Sequence, residues 1–256
     1  MPLGAAPDPG SWNRAWEEVA VLVFVAFAYG AAVRRYGIPT LRRRAFDGAL
    51  LIALVAIVSP LATLALHYFL WAHLLQNVML AEWAPALAVL GLSPPVAAAL
   101  AGSSVVAALT RPLVALPLWL AAYGLWHIPA LYDAALRHRL LLDLEHLSYL
   151  VTGCLLWWPV FQATPWHMRA GSKAAYLFAA FVLASPLGLA LALLPSPIYD
   201  FYEQAPRLWG IDPLTDQQIG GVVMAVSEGI LFFSLFAYFF VRFMAEEDAG
   251  YSPRDA

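Results

Sequence analysis

The chain has 256 residues, of which 62% are hydrophobic and only 12% are charged. An ordinary soluble domain has about twice that charged fraction, so the composition excludes a soluble globular protein and indicates an integral membrane protein. The formal net charge is -3, and the chain contains no block of Lys and Arg suited to nucleic acid.

Long apolar runs predict seven membrane-spanning helices. A bilayer core about 30 Å thick requires roughly 20 apolar residues per helix, and backbone groups in lipid must pair within the segment. The predicted spans cover about residues 17–33, 46–66, 69–91, 112–131, 145–163, 174–194 and 218–243. Residues 92–110 are apolar but rich in small residues, and we expect a loop or a short interfacial helix there. The predicted fold is an all-α polytopic membrane protein with seven transmembrane helices in one bundle.

The distribution of Lys and Arg predicts how the bundle is oriented. With the N-terminus outside, the inner segments hold ten of these residues and the outer segments four, which favours a cytoplasmic C-terminus. This topology gives an outer N-terminal segment (1–16), a seven-helix transmembrane domain (17–243) and an acidic cytoplasmic tail (244–256). The longest outer linker, residues 195–217, carries aromatic and acidic side chains and is expected to form a cap or a docking surface.

Five of the six histidines fall at the outer ends of the predicted helices or in the outer linkers. Imidazole is a common ligand for copper and zinc, and packed helices can set the geometry of such a site. His127 ends one apolar segment and His146 begins the next, so a helical hairpin would bring them to one depth. His73 lies at a similar depth on the third helix, and His67 is a weaker candidate. The alternative is that these imidazoles only anchor helix ends by hydrogen bonding.

Two methionines deeper in the predicted helices are candidate sulfur ligands. Met79 follows His73 in the third span and Met224 lies early in the seventh. Thioether ligands favour Cu(I) over harder ions, although most methionines in apolar helices only pack. Asn77 lies one turn below His73 on the same helical face, where it suits a hydrogen-bond partner better than a ligand.

Two glutamates, Glu82 and Glu228, fall inside the third and seventh predicted spans. An ionisable group is costly in the membrane and indicates a function, here a relay for protons or metal ions. The alternative is a neutral carboxylic acid that donates a hydrogen bond to a neighbouring helix.

Several sequence motifs together resemble a known family, the CtaG-type assembly factors of bacterial haem-copper cytochrome c oxidases. The motifs are Trp126-His127-Ile-Pro-Ala-Leu-Tyr-Asp133, Leu144-Glu145-His146-Leu-Ser148, Trp157-Trp158-Pro159, Arg207-x-Trp209-Gly210 and Asp216-Gln217-Gln218-x-Gly220-Gly221-x-x-Met224. The resemblance covers roughly residues 65–243. It implies a seven-helix plasma-membrane protein needed for oxidase maturation, which helps supply copper to the Cu-B centre of the catalytic subunit.

Two positions depart from the pattern of that family. Its third helix usually carries a His-x-x-x-His pair, whereas here His73 is followed by Asn77. The Trp-Val-Pro-Gly-Gly run expected after Met224 is replaced by Ala225-Val-Ser227-Glu228-Gly229. These changes bear on metal use, because one imidazole on a helix binds metal less tightly than two.

The motifs and the ligand types together predict a copper-binding assembly factor without enzymatic activity. Cu(I) is expected to bind His73, His127 and His146, with Met224 or Met79 as a fourth ligand. The residues expected to orient these ligands or to relay protons or metal are Asn77, Glu82, Asp133, Glu145, Asp216, Gln217, Glu228 and His67. The expected partners are the catalytic subunit of a haem-copper oxidase and the lipid of the bacterial plasma membrane, and no nucleic acid.

Three other functions stay open at this point. Two histidines on adjacent helices could clamp a haem iron in an electron-transfer protein. Glu82 and Glu228 could line a path for copper translocation, or the protein could be a metal-free scaffold. An extracytoplasmic copper donor and a homodimer also stay open as partners.

Overall fold

The computed structural model describes residues 6–250, and within that range the chain is helical and has no strands. Five of its helical segments are long and apolar enough to cross a membrane. Two bent helix pairs bring the number to seven if each pair forms one span. The predicted all-α fold is therefore confirmed, with five to seven candidate spans.

The helices are α1 (Trp16–Tyr36), α2 (Thr40–Val58), α3 (Pro60–His67), α4 (Leu70–Val78), α5 (Ala84–Gly91), α6 (Pro94–Ala101), α7 (Ser104–Leu109), α8 (Pro112–Trp126), α9 (Pro129–Arg137), α10 (Arg139–Phe161), α11 (Ala170–Leu193), α12 (Asp200–Gln204) and α13 (Pro213–Gly250). A π-helical turn, Met79–Trp83, joins α4 to α5 in one continuous span, Leu70–Gly91.

Two of the predicted spans are bent at a proline. The pair α2 and α3 bends by 46°, and the pair α8 and α9 bends by 75°. Pro60 and Pro129 begin the second helix of each pair, and the residues before them, Ser59 and Ile128, have extended backbone angles. A proline disfavours the helical conformation in the residue before it, which accounts for both breaks.

Three regions of the chain differ in detail from the sequence prediction. The region 92–110 forms the two short helices α6 and α7. The segment 132–144, predicted as a linker between two spans, is mostly helical because it contains most of α9 and the first six residues of α10. Helix α13 continues beyond the predicted end at residue 243 to Gly250, and the last six residues of the predicted tail lie outside the described range.

Helix α1 lies at the edge of the bundle, where Phe24 and Phe27 are largely exposed, as expected of a helix that faces lipid. It begins with Glu17 and Glu18 and has Arg34 in its last turn. Charges of these signs at these ends stabilise a helix through its dipole. Glu18 is thereby placed at the end of the bundle that carries most of the histidines.

The π-helical turn lies in the middle of the most buried span. Pro85 has no N–H to donate to the carbonyl of Ala81, and a proline ring clashes with the carbonyl four residues before it. In the π turn the N–H of Ala84 donates to the carbonyl of Met79, five residues back. Gly153 of α10 packs directly against the Ala81 carbonyl, where an added Cβ would also lie 2.6 Å from Pro85 Cγ. The helices approach this closely only because residue 153 is glycine.

Glycines also allow α11 and α13 to pack side by side. A Cβ at Gly221 would lie 3.0 Å from Ala192 Cα, and a Cβ at Gly188 would lie 3.2 Å from the Ala225 nitrogen. Small residues let membrane helices approach and gain van der Waals contact. The pairing of 188 with 225 and of 192 with 221 shows that the two helices run antiparallel.

Candidate metal centre

Three of the predicted ligands, His73, His127 and His146, are buried at one end of the bundle. His73 lies on α4, His127 at the end of α8 and His146 on α10, and each is at most 5% exposed. The rings of His73 and His127 lie against the same side chain, Tyr132, with centroid distances of 5.0 and 5.9 Å. Glu145, the residue before His146 on α10, has its Oε1 within 3.7 Å of His73 Nε2. The three imidazoles therefore surround one buried region.

Each imidazole uses its Nδ1 atom for a hydrogen bond to a supporting group. His127 Nδ1 donates to the Tyr123 carbonyl at 2.7 Å, and His146 Nδ1 donates to Glu18 Oε1 at 2.7 Å. His73 Nδ1 lies 2.9 Å from Tyr202 Oη. The Tyr202 hydroxyl donates its hydrogen bond to the Ala65 carbonyl at 2.5 Å. Its oxygen therefore accepts the hydrogen bond from His73 Nδ1. All three rings thus carry their proton on Nδ1.

Each of the three Nε2 atoms consequently has a free lone pair that faces the interior of the protein. None of them has a hydrogen-bond partner in the described part of the chain. Buried polar atoms are normally paired, and a metal-binding histidine typically donates its other ring nitrogen to a carboxylate or carbonyl. The tautomers and the supporting groups therefore fit metal ligation through Nε2.

Tyr199 and Tyr202 belong to the cap, the linker 195–217 that covers this end of the bundle. Tyr199 Oη donates to the His127 carbonyl at 3.1 Å. Burial raises the pKa of both phenols, and Glu145 and Asp133 make smaller contributions in the same direction. Both hydroxyls therefore stay protonated and serve as donors at neutral pH.

Glu145 brings a carboxylate to the same region. It is fully buried, its Oε1 lies 3.7 Å from His73 Nε2, and it accepts a hydrogen bond from Asn77 Nδ2 at 3.1 Å. Its Oε2 has no partner among the described residues. A buried charge is costly unless an opposite charge compensates it, and a bound cation would do so. Asn77 thus donates a hydrogen bond to the Glu145 carboxylate, and its own Oδ1 has no partner among the described residues.

Further unpaired oxygens lie nearby, on Tyr123, Tyr132 and Tyr149. Such a concentration of unpaired donors and acceptors indicates a region that an ion or ordered water fills. Within residues 6–250, however, no three His, Cys, Asp or Glu side chains already form a closed set of metal ligands. The donor chemistry fits a metal ion, and the side chains would have to move inwards to complete its shell.

Glu18 is the supporting residue that sequence reasoning missed. It lies 128 positions from His146 in the chain, and Arg139 holds its other oxygen at 3.5 Å. In the sequence, Glu18 is indistinguishable from an acidic residue that only stabilises a helix start. Tyr202 was missed as well, although the aromatic character of its linker was noted.

Three predicted supporting residues bind the backbone of the cap and of α4. Asp216 accepts from the Leu70 and Trp71 nitrogens at 2.9 and 3.0 Å. Asp133 accepts from the Phe201 nitrogen, and Gln217 accepts from the Ile198 nitrogen. The structure therefore places these side chains in positions that hold the cap and a helix start. His67 is half-buried at the end of α3.

The remaining candidates lie deeper along α13 and the span that begins with α4. Asp216 caps α4, and a Cβ at Gly220 would lie 3.1 Å from Trp71 Cα, so the two helices run in parallel. Met224 therefore lies about one turn deeper than the level of Gly220 and Trp71, and Glu228 about two turns deeper than that level. Met79 and Met224 are buried in the apolar core.

Glu82, in the π turn, and Glu228 are both fully buried. None of their four carboxylate oxygens has a partner in the described part of the chain. The expected alternative role, a hydrogen bond donated to a neighbouring helix, has no acceptor among residues 6–250.

The fold and this site define a multi-pass helical membrane protein with a buried, histidine-rich polar centre. The family model described as cytochrome c oxidase caa3 assembly factor (Caa3_CtaG) matches residues 24–246 of the chain. The chain belongs to this family, and the resemblance found in its motifs is confirmed. No curated protein and no solved structure matches the chain significantly.

Proposed function

We propose that this assembly factor binds Cu(I) through His73, His127 and His146 and passes it to the Cu-B centre of a haem-copper oxidase. The observation that supports this function most directly is the shared state of the three imidazoles. Each is buried, donates from Nδ1 to a supporting group and leaves Nε2 unpaired. Imidazole suits copper, and neutral imidazoles can exchange it with the imidazoles of a client protein.

The carboxylate of Glu145 supplies the negative charge that a buried cation needs. Met224, about one turn deeper than the level of Gly220 and Trp71, is the candidate sulfur ligand for Cu(I). An assembly role of this kind requires no catalytic turnover. It places the protein in the bacterial plasma membrane, with the histidine end on the outer side.

The cap controls access to the centre in this proposal. Tyr202 is 2% exposed and bonds both α3 and His73, so the cap closes over the imidazoles. Trp209 of the same linker is 70% exposed and stacks on Phe69. An exposed aromatic on the segment that closes the site suits contact with the oxidase subunit, which would release the cap and expose the ion.

The space between the histidines favours copper over haem. Tyr132 packs against both His73 and His127, with ring centroids within 5.9 Å. A porphyrin clamped by two of these imidazoles would have to displace that ring.

Copper content of variants tests the proposed site. We expect His127→Ala and His146→Ala, purified in mild detergent and incubated with Cu(I), to lose most bound copper. His138→Ala is the matched control, because His138 is exposed at the end of α9. Copper measured by mass spectrometry at the wild-type level in both test variants would refute the assignment.

The glutamate pair supports translocation as a second candidate function. Glu82 and Glu228 lie deeper than the histidines on the same parallel helices, and their oxygens are unpaired. In this function, vesicles containing the protein take up copper and Glu228→Gln abolishes the uptake. Vesicles with wild-type protein that take up no more copper than empty vesicles would exclude it.

A further inference from the structure

A groove opens between α11 and α13 at the opposite end of the bundle from the histidines. Its volume is about 770 Å³, within the range of about 300–1,000 Å³ that is usual for ligand sites. The wall of the groove consists of four phenylalanines: Phe178, Phe236, Phe240 and Phe243. Phe178 is 50% exposed and Phe240 is 45% exposed, so the wall is open at its side.

Charged residues line the same groove beyond the apolar wall. Arg169 precedes the first residue of α11, and Glu246 and Glu247 lie near the end of α13. A Cβ at Gly171 would lie 2.8 Å from Phe243 Cδ2, which sets the register of the antiparallel pair. Arg169 and the two glutamates therefore lie at the same level, just beyond the ends of the predicted spans 174–194 and 218–243.

This arrangement matches a phospholipid, which has an apolar chain below a charged headgroup. The positive charge of Arg169 and the negative charges of Glu246 and Glu247 at the open end of the groove favour some lipid headgroups over others. A phosphate is attracted to the Arg169 guanidinium and can accept from the Ser172 hydroxyl, but the rest of an anionic headgroup would face Glu247 and the partly neutralised Glu246. A zwitterionic headgroup has an ammonium group for those carboxylates.

The carboxylates further distinguish a primary ammonium from a quaternary one. A primary ammonium donates charge-assisted hydrogen bonds to carboxylate oxygens, whereas choline has no N–H. Glu246 is also 3.7 Å from Arg242, an exposed pair that neutralises it in part. Glu247 is therefore the stronger of the two recognition groups.

We propose that this groove binds one phosphatidylethanolamine molecule. One acyl chain lies along the phenylalanine wall, the phosphate binds Arg169, and the ammonium binds Glu247 and Glu246. The lipid covers apolar surface that α11 and α13 leave open and links the ends of the two helices.

Binding of matched lipids to the full chain in detergent tests this proposal. Dioleoyl phosphatidylethanolamine, phosphatidylcholine and phosphatidylglycerol are each titrated, and bound lipid is counted by native mass spectrometry. We expect phosphatidylethanolamine to bind about tenfold more tightly than the other two, a difference typical of one additional charged hydrogen bond. Equal binding of all three, or tightest binding of phosphatidylglycerol, would overturn the proposal.

Variants separate headgroup recognition from general lipid contact. The double substitution E246Q/E247Q should remove the preference for phosphatidylethanolamine over phosphatidylcholine, because it lowers the affinity for phosphatidylethanolamine much more than that for phosphatidylcholine. Asp47→Asn is the control, since Asp47 is an exposed carboxylate on α2 outside the groove. Phe240→Ala should weaken the binding of all three lipids to the same extent, because each places an acyl chain along the phenylalanine wall. A preference that survives E246Q/E247Q, or that Asp47→Asn abolishes equally, contradicts the assignment.

Discussion

Replacing Glu18 by glutamine tests whether this carboxylate orients His146 for metal binding. Glu18 Oε1 accepts from His146 Nδ1 at 2.7 Å, and the Glu18 side chain is only 14% exposed. The amide in E18Q has nearly the same size but no charge, so the hydrogen bond becomes neutral and about half as strong. Loss of a group that supports a metal ligand lowers metal affinity about 10- to 100-fold, which corresponds to about 1.4–2.7 kcal/mol.

The assay is a competition titration in which purified protein and a chelator of known affinity share Cu(I). Glu17→Gln is the matched control, because Glu17 is the neighbouring residue, has a 75% exposed side chain and approaches the same Arg139. Exposed ion pairs contribute little, so we expect E17Q to change the affinity less than about twofold. Wild-type affinity in E18Q, or an equal loss in E17Q, would refute the reasoning.

Three further substitutions have expected outcomes. Gly153→Ala should lower the free energy of unfolding by about 1–3 kcal/mol, because its methyl group overlaps a carbonyl and a proline ring; Gly124→Ala, with open space around it, should not. Equal thermal stability of these two variants would contradict the packing described for α10. Asp216→Ala should cost about 1 kcal/mol through loss of the α4 cap and leave copper stoichiometry unchanged; copper loss without destabilisation would instead make it a site residue. Tyr202→Phe should weaken copper binding about tenfold in the chelator assay by removing the acceptor for an imidazole, whereas Tyr176→Phe, whose hydroxyl bonds a distant carbonyl, should not.

The sequence was sufficient to predict the helical bundle, because hydropathy and length constrain membrane helices strongly. The two bends fall at Pro60 and Pro129, which lie inside the predicted spans 46–66 and 112–131. Most of helix α9 falls in a predicted linker, because its short amphipathic stretch ends in Arg137, His138 and Arg139. A helix of this length depends on its tertiary contacts, which a hydropathy pattern does not contain.

The candidate site could be predicted only in part. His127 and His146 flank one hairpin, so their common depth follows from local spacing. Glu18 and Tyr202 reach the imidazoles from elements far away in the chain, and no spacing rule brings them there. The sequence predicts that Asp216 supports a ligand. In the structure it accepts hydrogen bonds from two backbone nitrogens at the start of α4 and therefore caps that helix.

The measurement that tests the central claim most directly is X-ray absorption spectroscopy of the copper-loaded protein. The account predicts about one copper ion per chain whose scattering shows imidazole ligands, with a reduced imidazole signal in His127→Ala and an unchanged one in His138→Ala. A protein that binds no copper under these conditions, or binds it without imidazole scattering, would contradict the assignment of the buried histidines as the copper site.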